Sequence, residues 1–453
     1  MSLWLHVSTL MNWDRPPVGI VRVEREYALW LLEHASQAHD VRFCVYDRAA
    51  ERFVEVPRAQ VEERLAVNRE LAPPAAPRGE LAGWKRAIKN AWYAVRPMLP
   101  PQWRDRMVLR ARTGYHHLLV ARERWRRRLA RLLQGRAAAD APAANFARGD
   151  QWVSLGADWE YLDQEALYRI KHDVGLQVTL ICYDAIPVVL PQLFVDVLSR
   201  ERFGSYLAEL AWCADHVLCI SECTRRDFER VMREMGAPVP PTHVIRLGDE
   251  IREPKSEAPP AGFDVDGRPF VLYVSTIERR KNHEVLYRAW ARMRDNGIVP
   301  HRLVFVGMRG WGVNDLMNDL RLDPRVHDDI VVLDRVGDPA LAWLYHHAAF
   351  TVFPSLYEGW GLPVVESLGW GKFCVASSAA SLPEAGGDWV EYIDPWDLPR
   401  WVERLSYFMT HPQEVQARNE RIAREYQPTA WRDTSAAIHR VAMPGDVYSP
   451  GQP

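Results

Sequence analysis

The chain predicts an α/β fold in which two doubly wound domains face each other across a cleft. Three observations carry that prediction. Short apolar runs that read as buried strands alternate with helical patterns through two separate stretches of the sequence. Between those stretches, residues 253–267 are polar and broken by proline and glycine, the composition of an interdomain linker. The length, 453 residues, is enough for two or three domains. The predicted layout is a first domain over 1–255, a second over 256–443 and a disordered tail over 444–453.

The elements follow in order. Residues 3–7 read as a first strand. Residues 22–33 carry apolar Val23, Tyr27, Trp30 and Leu31 at helical spacing, and 40–46 is a second strand. The loop 12–22 between the first strand and its helix is rich in Pro and Gly and ends in Arg22. Pro73-Pro74-Ala75-Ala76-Pro77 marks a break. Strand patterns resume at 152–156, 177–184 and 216–221. In the second half they recur at 270–275, 302–307, 330–333, 350–354 and 373–377, most of them followed by a helical pattern.

Composition narrows the class. Hydrophobic residues are 48% and charged residues 26%, as in a soluble globular protein. No run of about 20 uncharged apolar residues occurs, so no membrane-spanning helix is expected. The first residues read as a strand and not as a signal peptide. The six cysteines make no Cys-x-x-Cys pair and lie mostly in apolar surroundings, which suits reduced core thiols in the cytoplasm. Cys213, Cys219 and Cys223 have poor spacing for a metal knuckle, so no metal site is expected.

Charge is unevenly spread. Residues 78–136 hold 16 Lys+Arg against 3 Asp+Glu, in a chain whose net charge is −2. Trp84, Trp92, Trp103 and Trp125 are interleaved with these cations. The stretch reads as a basic helical insertion in the first domain. Helices lying on an anionic membrane surface are one reading, and a solvated insertion is another. Nucleic acid would also attract the charge, but no nucleic-acid partner is expected.

The segment from Phe353 to Glu366 concentrates the chemistry. Glu358 and Glu366 are separated by seven residues. A strand precedes Glu358, a Gly-Pro turn with Gly359, Gly361 and Leu362 follows it, and Glu366 falls in the first turns of a helix. Ligands in open α/β sheets bind at the carboxyl ends of strands, and a helix N-terminus there offers N–H groups to a phosphate. Together with Pro354-Ser355 and the later Ser381-Leu382-Pro383-Glu384, this segment resembles the E-x7-E signature of the retaining glycosyltransferases of family 4, which have the GT-B fold. The resemblance implies that Glu358 contacts the donor sugar and that Glu366 holds the nucleotide ribose.

Further segments extend the resemblance. Thr276-Ile277-Glu278-Arg279-Arg280-Lys281-Asn282 is similar to a segment of the family's mannosyl- and rhamnosyltransferase branch. Lys281 matches its phosphate-binding lysine. Thr276 stands where many members have arginine, so Arg280 is the candidate second cation. Cations at a strand end suit a diphosphate in their own right. Gly307 opens a glycine-rich loop after a strand, which permits close approach of a nucleotide. Asp184 follows a strand within Tyr183-Asp184-Ala185-Ile186-Pro187, where the family has histidine in place of Tyr183. A helix-capping role is the other reading of Asp184. Gly19 and Arg22 fall at the family's glycine loop beside the donor diphosphate.

The resemblance covers the second half well and the first half loosely. It implies sugar transfer from a nucleotide donor with retention at the anomeric carbon. Lys281, Arg280 and the helix amides would stabilise the leaving diphosphate, so no metal or other cofactor is expected. The expected donor is GDP-mannose or a GDP-deoxyhexose. The expected acceptor is a glycan or lipid-linked oligosaccharide of a bacterial surface polysaccharide, met in the cytoplasm or at the inner face of its membrane. The alternatives are a sugar-nucleotide epimerase or hydrolase of the same fold, or a non-catalytic nucleotide-sugar-binding scaffold.

Overall fold

A computed structural model describes residues 1–13, 19–34, 40–48, 50–70, 142–194, 197–250, 259–260, 263, 267–298, 301–334 and 336–445. The basic stretch 78–136, most of the linker 253–267 and most of the expected tail lie outside the described residues. Contacts divide the chain into a large unit, residues 1–45, 56–73 and 145–453, and a small one, residues 46–55 and 74–144.

The large unit contains two sheets. Strands β1 (Ser2–His6), β2 (Asp40–Asp47), β4 (Gln151–Ser154), β5 (Gln177–Cys182), β6 (His216–Cys219) and β7 (Thr242–Val244) run parallel in the order β2-β1-β4-β5-β6-β7. Strands β8 (Phe270–Val274), β9 (Arg302–Val306), β10 (Ile330–Leu333), β11 (Phe350–Phe353), β12 (Cys374–Ser377) and β13 (Val390–Ile393) form the second sheet, order β10-β9-β8-β11-β12-β13, again parallel. Parallel strands are covered on both faces and therefore read as apolar runs, not alternating ones. Phe270-Val271-Leu272-Tyr273 is buried throughout, as is Phe350-Thr351-Val352-Phe353. In the small unit, most of strand β3 (Arg52–Val56) is present, and Val54 bridges Ala143 in the antiparallel sense.

In both sheets the strand order reverses beside the first strand, between β1 and β4 and between β8 and β11. Chains diverge to opposite faces there and leave a crevice at the carboxyl ends, the usual ligand position in doubly wound sheets.

Four helices set the frame of the crevice. Helix α1 (Ile20–Glu33) starts at Gly19, whose φ of 54° lies in the left-handed region. Helix α2 spans Val197–Cys213. Helix α3 (Glu222–Met235) has Ser221 as N-cap, its hydroxyl accepting from Thr224 N at 2.9 Å, and left-handed Gly236 as its stop. Its buried residues, Cys223, Thr224, Asp227, Phe228, Val231 and Met232, share one face at helical spacing. Helix α4 (Leu362–Gly369) starts at Gly361, φ 133°, with no side chain capping it.

Helix α5 (Trp431–Ala442) differs from expectation. The sequence pattern predicts that residues through 443 belong with the second sheet. Instead Trp431, Ala436, Ile438 and Ala442 are buried in the core of the first sheet, with Leu3, Val153 and Tyr27. Gly248 makes this possible: a Cβ there would sit 2.5 Å from the Trp431 ring. Asp249 fixes the approach by accepting from Thr429 N at 2.5 Å and from the Tyr426 hydroxyl. The six cysteines are free and buried. No helix among the described residues is long and apolar enough to cross a membrane.

Candidate active site

At the β8/β11 reversal, two loops meet. Strand β8 leads through Ser275 and Thr276 into the short turn Arg279–Lys281, and β11 leads through Pro354 and Ser355 to Glu358. Asn282 joins them. Its backbone is left-handed, φ 56°, and its side-chain amide donates to Pro354 O and Pro395 O at 3.1 and 2.9 Å. Glu358 then accepts from Lys281 Nζ at 2.5 Å, from Arg280 Nη1 at 2.7 Å and from Ser355 Oγ at 2.6 Å. Burial opposes its ionisation, but Arg280 and Lys281 outweigh burial and hold the carboxyl down at about 2.

Arg280 is more fully committed than Lys281. Its Nη1 also donates to Tyr357 O at 2.8 Å, and its Nη2 pairs with Glu278 at 2.8 Å. Burial works against its charge, yet Glu358 and Glu278 raise its pKa. Burial lowers that of Lys281, with Glu358 opposing and Arg280 adding to the fall.

A cavity of about 1010 Å³ opens over this cluster. Thr276, Glu278, Arg280 and Lys281 line it from the second half, and Asp184 at the end of β5 lines it from the first. Asp184 accepts from Ile186 N at 3.0 Å, a local turn-forming bond, so both readings of this residue meet here. Burial raises its carboxyl, with Arg280 opposing. Glu278 is likewise raised by burial. The uncapped start of α4 adjoins the cavity through Pro363.

The loop bearing Glu358 is locked against the first half. A Cβ on Gly359 would lie 2.3 Å from Tyr183 O, so only glycine fits. Gly359 O accepts from Ser221 Oγ at 2.7 Å and Thr224 Oγ1 at 3.2 Å, and Tyr357 OH donates to Asp227 at 2.6 Å. Thus Ser221, besides capping α3, also ties the two halves together. Gly307, φ 156°, packs where a Cβ would come within 2.0 Å of Ser275 O, which keeps the β9 loop against the β8 loop.

The remaining predicted residues divide. Glu366 lies in α4 with Tyr345 OH 3.3 Å from its Oε2. Gly361 and Leu362 form the start of that helix. Gly19 starts α1, and Ile20 beside it lines the cavity. Arg22 does not line it: its guanidinium lies 5.1 Å over the Trp431 ring. Tyr183, where the family has histidine, is buried, and its hydroxyl donates to Leu155 O at 2.6 Å. Glu358, expected to face the sugar, sits behind Arg280 and Lys281 and is 8% exposed.

Sequence reasoning missed what lines the cavity at the β1/β4 reversal. Asp158, Trp159, Phe203 and Tyr206 are there, from β4's following turn and from α2. Asp-Trp after a strand is a faint signal by itself, and Phe203 and Tyr206 lie over 40 residues away in sequence.

Residues 255–426 match the family model described as glycosyl transferases group 1. The matched stretch contains Arg280, Lys281, Glu358 and Glu366. This part of the chain is similar to group 1 glycosyltransferases. Among curated proteins, the chain is 27% identical over 223 residues to O-antigen chain mannosyltransferase B of Escherichia coli, covering 49% of this chain and 54% of that protein. It is 26% identical over 207 residues to the serotype-specific mannosyltransferase WbdA of Escherichia coli, covering 43% and 25%. The chain therefore spans about half or less of the length of these relatives. Among solved structures, sucrose-phosphate synthase from Thermosynechococcus elongatus superposes with a TM-score of 0.54 at 16% identity, over 97% of this chain and 98% of that one. Anabaena HepE in complex with UDP and glucose superposes at 0.51 and 16% identity, over 64% and 77%. The fold is GT-B, with two Rossmann-like domains.

Proposed function

We propose that the chain is a retaining glycosyltransferase. It moves a hexose or deoxyhexose, from GDP-mannose or a GDP-deoxyhexose, to a glycan or lipid-linked acceptor in bacterial surface polysaccharide synthesis. The observation that carries this reading is the buried Arg280–Lys281–Glu358 cluster at the β8/β11 reversal, inside the matched segment. The mannose preference draws on the likeness to two mannosyltransferases, one of them an O-antigen chain mannosyltransferase.

The chemistry follows from charge. As the anomeric C–O bond to the diphosphate breaks, negative charge grows on the leaving oxygen. Lys281 keeps two ammonium protons beyond the one given to Glu358, and the α4 start adds N–H groups; fixed donors of this kind stabilise that charge in a water-poor cleft. Arg280 holds Glu358 and the loop in place. The leaving phosphate takes the acceptor hydroxyl's proton while the new glycosidic bond forms on the same face. The cations serve the role that a divalent metal serves elsewhere, so chelators leave the rate unchanged. Residues 78–136, with their sixteen cations and interleaved tryptophans, are proposed to hold the enzyme on an anionic membrane surface.

The test is incubation of the purified protein with GDP-mannose and a mannose-terminated oligosaccharide, in EDTA, with the product read by NMR. An α-linked product supports the reading. A β-linked product, an epimerised sugar nucleotide, or only free mannose would overturn it.

A further inference from the structure

Asp158 sits at the β1/β4 reversal, the first sheet's counterpart of the position that holds the cation cluster in the second. Its Oδ1 accepts from Ser154 Oγ at 2.6 Å, and Ser154 in turn meets His6 Nδ1 at 3.0 Å. Its Oδ2 is buried and has no hydrogen-bond partner among the described residues. An unsatisfied buried carboxylate oxygen is costly, so the position favours a donor brought to it. Asp158 is 1% exposed and lines the same cavity as Arg280 and Lys281.

Beside it stands an aromatic wall. Trp159 meets Phe203 at 5.9 Å and Tyr206 at 5.7 Å between ring centroids, and those two are 5.3 Å apart. Trp159 is nevertheless 39% exposed, an uncommon fate for a tryptophan within such a cluster. A hydroxyl-rich ring with apolar C–H faces suits this pairing: the faces pack on the aromatics while hydroxyls donate to the carboxylate. An alkyl chain would suit the aromatics but leave Asp158 Oδ2 unsatisfied.

We infer that Asp158, Trp159, Phe203 and Tyr206 form the acceptor subsite, and that it binds the terminal sugar of a glycan. Trp159 and Phe203 are the stacking surface, and Asp158 orients the hydroxyls. This rests on the glycosyltransferase reading, because the donor is assigned to the other side of the cavity.

The experiment is saturation-transfer NMR on the full chain without any nucleotide, with methyl α-mannoside and α-mannobiose as probes and decyl phosphate as the lipid-like control. GDP-mannose binding is measured in parallel by thermal shift. The expected result is saccharide binding that weakens about five- to tenfold in Trp159→Ala, in line with the loss of one aromatic contact, and about tenfold in Asp158→Asn. GDP-mannose shifts stay unchanged in both. Phe203→Leu serves as a third variant should Trp159→Ala lose its fold, and it also weakens saccharide binding. Saccharide binding unchanged in the folded variants overturns the inference, as does binding of decyl phosphate alone. Saccharide binding that depends on Trp159 without any GDP-mannose shift would instead keep the subsite and overturn the donor assignment.

Discussion

Lys281 and Glu24 show how far single residues depend on their surroundings. The lysine was legible from sequence because its neighbours are consecutive: a strand, a run of cations and an Asn whose left-handed turn returns the chain. Glu24 was not legible. It reads as a polar position on α1, yet it is fully buried, accepts from Leu10 N at 3.0 Å and lies against Gly156. Burial, with Asp158 adding, lifts its carboxyl to about 8, while the bond from Leu10 opposes. The folded pKa is thus above the unfolded one, near 4.5. Between those values the native state holds a proton that the unfolded state lacks, so stability falls as pH rises from about 4.5 to about 8 and then levels off. Glu24→Gln keeps the acceptor for Leu10 N and removes the charge. It should leave stability near pH 4 almost unchanged and raise it at pH 8 by a few kcal/mol, read from urea melts across that range. Glu358 has the opposite sign. Its pKa, held at about 2, contributes stability above pH 4.5 that is lost as pH falls toward 2.

Elements were read well where the sequence is apolar and local. The strands that line the crevice were placed within a residue or two, because buried parallel strands leave continuous apolar runs. β7 and β13 were not: Thr242-His243-Val244 and Val390-Glu391-Tyr392-Ile393 are short, and both stand at sheet edges. Helix α3 shows a cap that no local pattern predicts. Glu384 accepts from Glu222 N at 2.7 Å and Cys223 N at 2.8 Å, so the second half supplies a carboxylate to the N-terminus of a first-half helix. Ser381-Leu382-Pro383-Glu384 resembles part of a family signature in the sequence, but its work at this helix start depends on the folded cleft. Glu384→Ala should lower stability by about 1–2 kcal/mol, the usual cost of a lost cap, read as a lower urea midpoint. An unchanged midpoint would mean that the Glu384 carboxylate adds nothing to this helix start.

At the scale of the large unit, two sheets with the same reversal place two chemistries on one cavity. The cations and Glu358 lie at β8/β11, and Asp158 with its aromatic wall lies at β1/β4. Only the first was visible in the sequence, because its residues are bunched in two short segments with a family pattern. The second draws on two elements more than 40 residues apart in sequence and has no pattern. Helix α5 crosses back to the first sheet for the same kind of reason: Gly248 and Asp249 lie nearly 180 residues before the segment they receive. The central claim is that the cluster at β8/β11 holds the diphosphate of a nucleotide sugar. Isothermal titration of GDP-mannose into the full chain and into Lys281→Met tests it most directly. Saturable binding to the wild type, weakened at least about tenfold in a variant that melts cooperatively, is the predicted result. Equal affinity in both proteins, or no binding of GDP-mannose to the wild type, would contradict it.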